Sequence, residues 1–290
     1  MPQTINTNLI SLNAQRNLTT SQSQLATSMQ RLSSGLRVNS AKDDAAGLAI
    51  AERMHTQVRG MNVAMRNAND GISMAQVGEG ALGKVSDLFQ RMRELAVQSA
   101  NGTNTGADRT SLNDEFVQLA QEATRTLGGT LFNNQKILAT TNASTFQIGA
   151  NNSTDIDQLT VASFNWTDQA GLSAVLGTDV ITGAQAPAAV ISGTDATGAQ
   201  AAISLIDTAI NAVNSQRATY GAVQNRFENV VSTLMVAAEN QSAARSRIMD
   251  ADYAAETSNM SRAQILQQAG NAMVAQANQL PQQVLSLLQR

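Results

Sequence analysis

Apolar residues recur at every seventh position from Met54 onward: Met54, Met61, Ala68, Ala75, Leu82, Phe89 and Ala96. Val58, Met65 and Ile72 give the early heptads a second apolar position. A later series runs Ile206, Val213, Tyr220, Phe227 and Leu234, then Gln241, then Ile248, accompanied by Ile203, Ile210, Val231 and Ala238. Both series predict coiled-coil seams made of small and soft side chains. The first predicts a helix over residues 42–100, about 85 Å long at 1.5 Å per residue, which suits a rod better than a globule. Proline stands only at positions 2, 187 and 281, and glycine is absent before Gly35 and between Gly221 and Gly270, so long helices are permitted.

Local signals mark the ends of these elements. Ser33-Ser34-Gly35 predicts a turn. Ser40-Ala41-Lys42-Asp43 fits a capping box with Ser40 as N-cap, and Asp43 and Asp44 place negative charge in the first turn. Asn101-Gly102-Thr103 predicts the stop. A shorter helix follows, with Leu112, Phe116, Leu119 and Ala123 on one face and Gly128-Gly129 at its end. Residues 140–200 turn rich in Thr, Ala, Gly, Asn and Asp. Within them, residues 145–148 and 159–162 have strand character, and residues 178–200, with Pro187 and several glycines, predict a surface loop or small insert.

The two ends carry narrow apolar stripes. The first holds Ile5, Leu9, Leu12, Leu18, Leu25, Met29, Leu32 and Leu36; the second holds Met273, Ala277, Leu280, Val284, Leu287 and the adjoining Leu288. Their helices are otherwise polar, so neither end buries its apolar face alone. Each needs the other end or other chains. Pro281 lies inside the second stripe and predicts one lost backbone bond and a bend.

Composition narrows the chemistry. At ~150 residues per domain, a chain of this length predicts about two domains. Hydrophobic residues make up 42% but aromatics only 3%, so the apolar content is aliphatic and suits helix packing. Nineteen basic against 22 acidic residues give a net charge of −3, too mild to attract nucleic acid. The absence of cysteine excludes disulfides, thiolate catalysis and Cys-ligated metals, and a single histidine, His55, excludes a His–His metal site within one chain. No run of 18 apolar residues predicts a membrane span. Residues 1–20 are polar, without the apolar core of a cleaved signal peptide, so secretion would use another export route.

Two motif-like stretches carry no chemistry. Gly78-Glu79-Gly80-Ala81-Leu82-Gly83 spells G-x-G-x-x-G, but it lies inside a heptad series and residues 98–103 hold no acidic partner, so it reads as a small-residue stretch for close helix approach or a bend. Gly71-Ile72-Ser73-Met74-Ala75 falls one residue short of a nucleophile elbow and follows no strand. H-E-x-x-H is absent, and His55 reads as a packing or surface residue. No nucleophile stands with a base, which argues against an enzyme such as a hydrolase. No catalytic, cofactor-binding or metal-ligating residue is assigned.

The segment from Gln30-Arg31-Leu32-Ser33-Ser34-Gly35-Leu36 to Asp43-Asp44-Ala45-Ala46-Gly47-Leu48-Ala49-Ile50-Ala51 closely resembles the N-terminal signature of bacterial flagellins. Arg66-Asn67-Ala68-Asn69-Asp70-Gly71-Ile72-Ser73, Arg93-Glu94-Leu95-Ala96-Val97-Gln98-Ser99-Ala100-Asn101 and Ala275-Gln276-Ala277-Asn278-Gln279-Leu280-Pro281-Gln282-Gln283-Val284-Leu285-Ser286-Leu287-Leu288 extend the likeness over roughly residues 1–165 and 200–290. The resemblance implies a mainly α fold with a small β region: a rod of long coiled-coil helices from both chain ends, with β-hairpins in the middle. It implies an inner terminal helical domain of residues 1–43 with 250–290, a rod-like helical/β domain of 44–177 with 201–249, and a short variable insert at 178–200. It further implies a structural subunit exported through the flagellar apparatus and polymerised into the extracellular filament. Its partners would be copies of itself, an export chaperone, the filament cap, hook–filament junction proteins and host flagellin receptors. The terminal stripes would be the packing positions. Arg91, Leu95 and Glu115 fall at positions resembling those read by the vertebrate Toll-like receptor for flagellin. Residues 30–51, with Asp43 and Gly47, resemble the epitope of the plant flagellin receptor kinase. A junction or minor filament protein sharing the terminal motifs is the alternative, and the completeness of residues 30–51 favours the main subunit.

Overall fold

A computed structural model describes residues 7–162, 164–177 and 189–288, with side chains described as far as Gln279. These residues form six α-helices: α1 (Leu9–Ser34), α2 (Ala45–Ser99), α3 (Gly106–Gly129), α4 (Ala170–Leu176), α5 (Thr197–Met249) and α6 (Tyr253–Leu288). Two antiparallel hairpins complete the fold: β1 (Leu131–Phe132) with β2 (Gln135–Lys136), and β3 (Ser144–Gln147) with β4 (Gln158–Val161). The fold is therefore mainly α with a small β region, as expected. Two compact units divide the chain, Met1–Thr56 with Glu239–Arg290, and Gln57–Ala238.

The second unit is built on α2 and α5 running antiparallel. Ala68, Ala75, Leu82, Phe89 and Ala96 of the first heptad series are buried, as are Ile206, Val213, Tyr220 and Phe227 of the second. The companion positions differ from expectation. On α2 the second buried position is Ala64, Gly71, Gly78, Val85, Met92 and Ser99, while Val58, Met65 and Ile72 are half-buried. On α5 it is Ala202, Ala209 and Val223, while Ile203, Ile210 and Val231 are half-buried. The reason is steric: Gly71 lies against Phe227 and Gly78 against Tyr220. A glycine inside a helix costs about 1 kcal/mol relative to alanine, and here it makes room for an aromatic ring of the opposing helix. Phe146 of β3 then meets Phe227 edge-on, with ring centroids 5.4 Å apart. Gly78 is thus a packing residue, as the small-residue reading expects, while Gly80 and Gly83 face open space.

α3 starts at a capping box in which Thr105 Oγ1 accepts from the Asp108 N–H and Asp108 accepts from the Thr105 N–H. Arg109 is buried and donates to the carbonyls of Ser99 and Asn101 at 2.9 and 3.3 Å, satisfying orphan acceptors at the end of α2. The first hairpin was not expected. Asn133 and Asn134 both hold positive φ, 46° and 64°, as a two-residue hairpin turn requires. The second hairpin forms one residue earlier than expected, with Ser144 opposite Val161 and Gln147 opposite Gln158.

Two local expectations are corrected. Ser40 does not cap α2. Asp44 does: its carbonyl accepts from the Leu48 N–H and its Oδ1 from the Gly47 N–H at 2.7 Å. The Ser40–Asp43 pairing does form, but as a closed turn one step earlier. Residues 189–200 are a surface loop only in part: Val190 and residues 193–195 are exposed. Ala189 and Ile191 are buried, Ile191 N–H donates to Asn113 Oδ1 and its carbonyl accepts from Ser99 Oγ, and α5 has begun by Thr197. Residues 178–188 lie outside the described residues.

A Cβ added at Gly71 would stand 2.5 Å from Phe227 Cζ, and one at Gly78 would stand 2.9 Å from Tyr220 Cε2. Gly71→Ala and Gly78→Ala are therefore expected to destabilise the protein by about 1–3 kcal/mol each through overpacking, despite their gain in helix propensity. Urea unfolding checks this, and an unchanged or raised midpoint contradicts it.

Candidate assembly surface

In the first unit α1 and α6 pair antiparallel. Asn8 Nδ2 donates to the Ala277 carbonyl at 2.7 Å, Ser11 Oγ pairs with Asn278 Oδ1 at 2.8 Å, and Arg31 Nη1 lies 3.8 Å from Glu256 Oε2. Leu18 packs against Gly270 between these ends. The inward face of α1 is Ser11, Ala14, Leu18, Ser21, Leu25, Ser28 and Leu32. That of α6 is Glu256, Met260, Ala263, Gln267, Gly270, Val274 and Ala277. Both follow alternating steps of three and four, but nine of these fourteen positions are polar, alanine or glycine.

This seam splits the stripes read from the sequence. Leu18, Leu25 and Leu32 face it and are half-buried. Leu9, Leu12 and Met29 are 67%, 49% and 56% exposed, and Ile10 beside them is also exposed. On α6, Ala277 is buried while Met273 is 60% exposed, together with Ile265 and Leu266. Ile5 lies outside the described residues. The backbone of α6 continues through Leu280, Val284, Leu287 and Leu288, whose side chains lie outside the description. The buried serines escape an apolar pattern search. Their heptad step, Ser21 to Ser28, interleaved with Leu18, Leu25 and Leu32, was the available signal.

Leu36 sits in a small cluster with Val38, Ala51 and Met249. Around it the two chain breaks are joined. The Ala251 N–H donates to the Gly35 carbonyl at 2.9 Å, Arg37 N–H to the Met249 carbonyl at 2.6 Å, and Arg37 Nη2 to the Ile248 carbonyl at 2.7 Å. Gly35 takes φ 71°, the left-handed conformation that ends α1. In the loop that follows, Asp43 Oδ2 accepts from the Ser40 and Asn39 N–H groups at 3.0 and 3.1 Å. Gly47 is buried in the first turn of α2, and a side chain there would strike the Asp44 carboxylate.

The remaining residues of interest lie on α2 and α3. Arg91 bridges the two helices, donating from Nη2 to Glu115 Oε1 at 2.9 Å and from Nη1 to Glu94 Oε2 at 3.0 Å. Both partners are exposed, and the hydrogen bonds it donates to Glu115 and then Glu94 hold the guanidinium more firmly protonated than usual. Leu95 is 1% exposed and offers no surface of its own. His55 lies near Glu52 on the helix surface. Among the described residues no group of His, Cys, Asp and Glu is placed to hold a metal ion, and no helix is long and apolar enough to cross a membrane.

A helical pair with a polar, small-residue seam and uncovered apolar faces belongs to the class of structural subunits that assemble with copies of themselves. The comparisons with known proteins name the family. The model of the bacterial flagellin N-terminal helical region matches residues 5–143, and that of the C-terminal helical region matches residues 203–288. A flagellin of Halalkalibacterium halodurans is 46% identical over 285 residues, covering 98% of this chain and 99% of its own. A flagellin of Serratia marcescens is 42% identical over 350 aligned positions, covering 99% of this chain and all of its own. The crystal structure of Bacillus cereus flagellin aligns over 58% of this chain and 88% of its own, at 31% identity and a TM-score of 0.46. The chain belongs to the bacterial flagellin family. It is a structural protein rather than an enzyme, a self-polymerising subunit of the extracellular flagellar filament that serves motility.

The turn at residues 39–43 titrates in a predictable direction. Backbone N–H groups of Ser40 and then Asn39 hold the Asp43 carboxyl below its ordinary value of 3.8, and the Thr105 hydroxyl and then its N–H do the same for Asp108. A depressed folded pKa means that both turns keep their full stabilisation above the unfolded value and lose it as pH falls through the lower folded value. Carboxyl NMR titration is expected to give both a midpoint below 3.8. Midpoints at or above it contradict the assignment of these bonds.

Proposed function

We propose that filament growth is driven by the terminal helices, whose outer apolar side chains stay uncovered until neighbouring copies pack on them. The observation that carries this is the mismatch on α1 and α6: serine, alanine and glycine take half of the seam positions while Leu9, Leu12, Met29 and Met273 stand in solvent. Covering a Leu, Ile or Met side chain stabilises by roughly 1.5–3 kcal/mol. Ordering the chain costs about 1–2 kcal/mol per residue. A lone pair with so thin a seam gains little beyond that cost, and lateral packing supplies the difference. Ile5, Leu25, Leu32, Leu36, Leu280, Val284, Leu287 and Leu288 complete the set of packing positions, and residues 1–43 with 250–290 act as the inner terminal domain.

The family's further partners are assigned to surfaces as follows. An export chaperone would cover the α6 stripe before the chain leaves the cell. The filament cap and the hook–filament junction proteins would meet the same terminal helices at either end of the polymer. Export would carry an unfolded chain through the flagellar apparatus rather than by a cleaved signal peptide; the lack of cysteine and the low aromatic content, 3%, suit threading. A vertebrate receptor would contact the exposed Arg91–Glu115 bridge, with Leu95 supporting that face from beneath. A plant receptor reading residues 30–51 as a peptide would require their release from the fold, since Gly47 is buried and residues 35–37 are bonded to 248–251.

Amide exchange on dilute monomer and on filaments tests the central reading. Residues 9–34 and 266–288 are expected to gain at least tenfold protection on assembly; equal protection in both states contradicts it. Deleting residues 273–290 is expected to abolish polymerisation with the fold of residues 57–238 intact, as read by circular dichroism and electron microscopy, and normal filaments from the deletion overturn it.

A further inference from the structure

The chain has eleven methionines and no cysteine, so thioethers are its only sulfur chemistry. Most of the described methionines are sheltered. Met74, Met92 and Met249 are buried, and Met54, Met61, Met65 and Met260 are half-buried. Three are not: Met29, Met235 and Met273 are 56%, 59% and 60% exposed. Two of these three stand on α1 and α6, away from the seam and among the uncovered apolar side chains.

We propose that Met29 and Met273 are oxidation sites that switch the subunit between assembly-competent and assembly-incompetent forms, the reagent being a two-electron oxygen-transfer oxidant such as hydrogen peroxide. This rests on the reading that these faces are covered on assembly. The thioether sulfur attacks one peroxide oxygen. An S–O bond forms as the O–O bond breaks, and the departing hydroxide takes the proton still carried by the transferred oxygen and leaves as water. The sulfur loses two electrons and the peroxide gains them. The product replaces an apolar group with a strongly polar, chiral sulfoxide. A free subunit tolerates it, because at this exposure water solvates the new oxygen. A packed subunit does not, because burying that oxygen without a donor carries a desolvation cost. Leucine or isoleucine at these positions would pack as well, but only methionine can have its polarity reversed and then restored by a sulfoxide reductase. Covering also protects, so filaments would be resistant where monomers are sensitive.

The experiment treats full-length monomer and preformed filaments with hydrogen peroxide, maps sulfoxides by peptide mass spectrometry, and measures the concentration needed for assembly. Oxidation of Met29 and Met273 is expected at least tenfold faster in monomer than in filament, and oxidised monomer is expected to need at least tenfold more protein to assemble. The double variant Met29→Leu/Met273→Leu is expected to need the same protein concentration for assembly with and without peroxide, whatever its own untreated level, whereas Met235→Leu leaves the inhibition in place. Inhibition that persists in the double variant, or that Met235→Leu relieves, overturns the proposal, as does equal oxidation in both states. Failure of the untreated chain to assemble would instead overturn the filament reading itself. Normal assembly of fully oxidised chain overturns only the switch.

Discussion

The structure turns on an imbalance in one helical pair. Between α1 and α6 the contact face alternates leucines with Ser11, Ser21 and Ser28 on one side and sets Glu256, Ala263, Gly270 and Ala277 on the other. Such a seam brings two backbones close and specifies their direction through polar contacts at either end. It removes little apolar surface from water, so the stabilisation it can provide is small. Other large apolar side chains of the same helices, Leu9, Ile10, Leu12, Met29, Ile265, Leu266 and Met273, stand in solvent. A pair built this way leaves apolar side chains uncovered, and on the proposed reading a polymer of identical subunits covers them without adding any other component.

The unit of residues 57–238 solves the opposite problem. Glycines in α2 admit Phe227 and Tyr220 of α5, the hairpin residue Phe146 closes on Phe227, and buried Arg109 ties off the end of α2. Its core is filled by its own side chains. On the proposed reading, assembly draws on the terminal helices and folding stability on residues 57–238, so a subunit would fold in one part while the other waits for neighbours.

Much of this was legible in the sequence, for physical reasons that also explain the gaps. The heptads from Met54 to Ala96 and from Ile206 to Ile248 are visible because a buried helical stripe must repeat every seven residues over many turns. Their companions were misassigned because Gly71 and Gly78 do not register as apolar, although they face the core; only the aromatic partner, distant in sequence, explains them. The α6 seam was hidden because Glu256 and Gln267 lie on it. The first hairpin could have been found, since Asn133-Asn134 tolerates the left-handed conformation that its turn demands. The burial of Ala189 and Ile191 could not, because it depends on Ser99 and Asn113 of other helices. Leu95 shows the same limit for surfaces: a motif places a residue in sequence, and the fold decides whether it is accessible.

The most direct measurement is a filament structure by electron cryomicroscopy at side-chain resolution. The account predicts that Leu9, Ile10, Leu12 and Met29 of α1, and Ile265, Leu266 and Met273 of α6, lie against neighbouring subunits. If those side chains face open solvent in the filament, while the subunits touch mainly through other surfaces, the account is wrong.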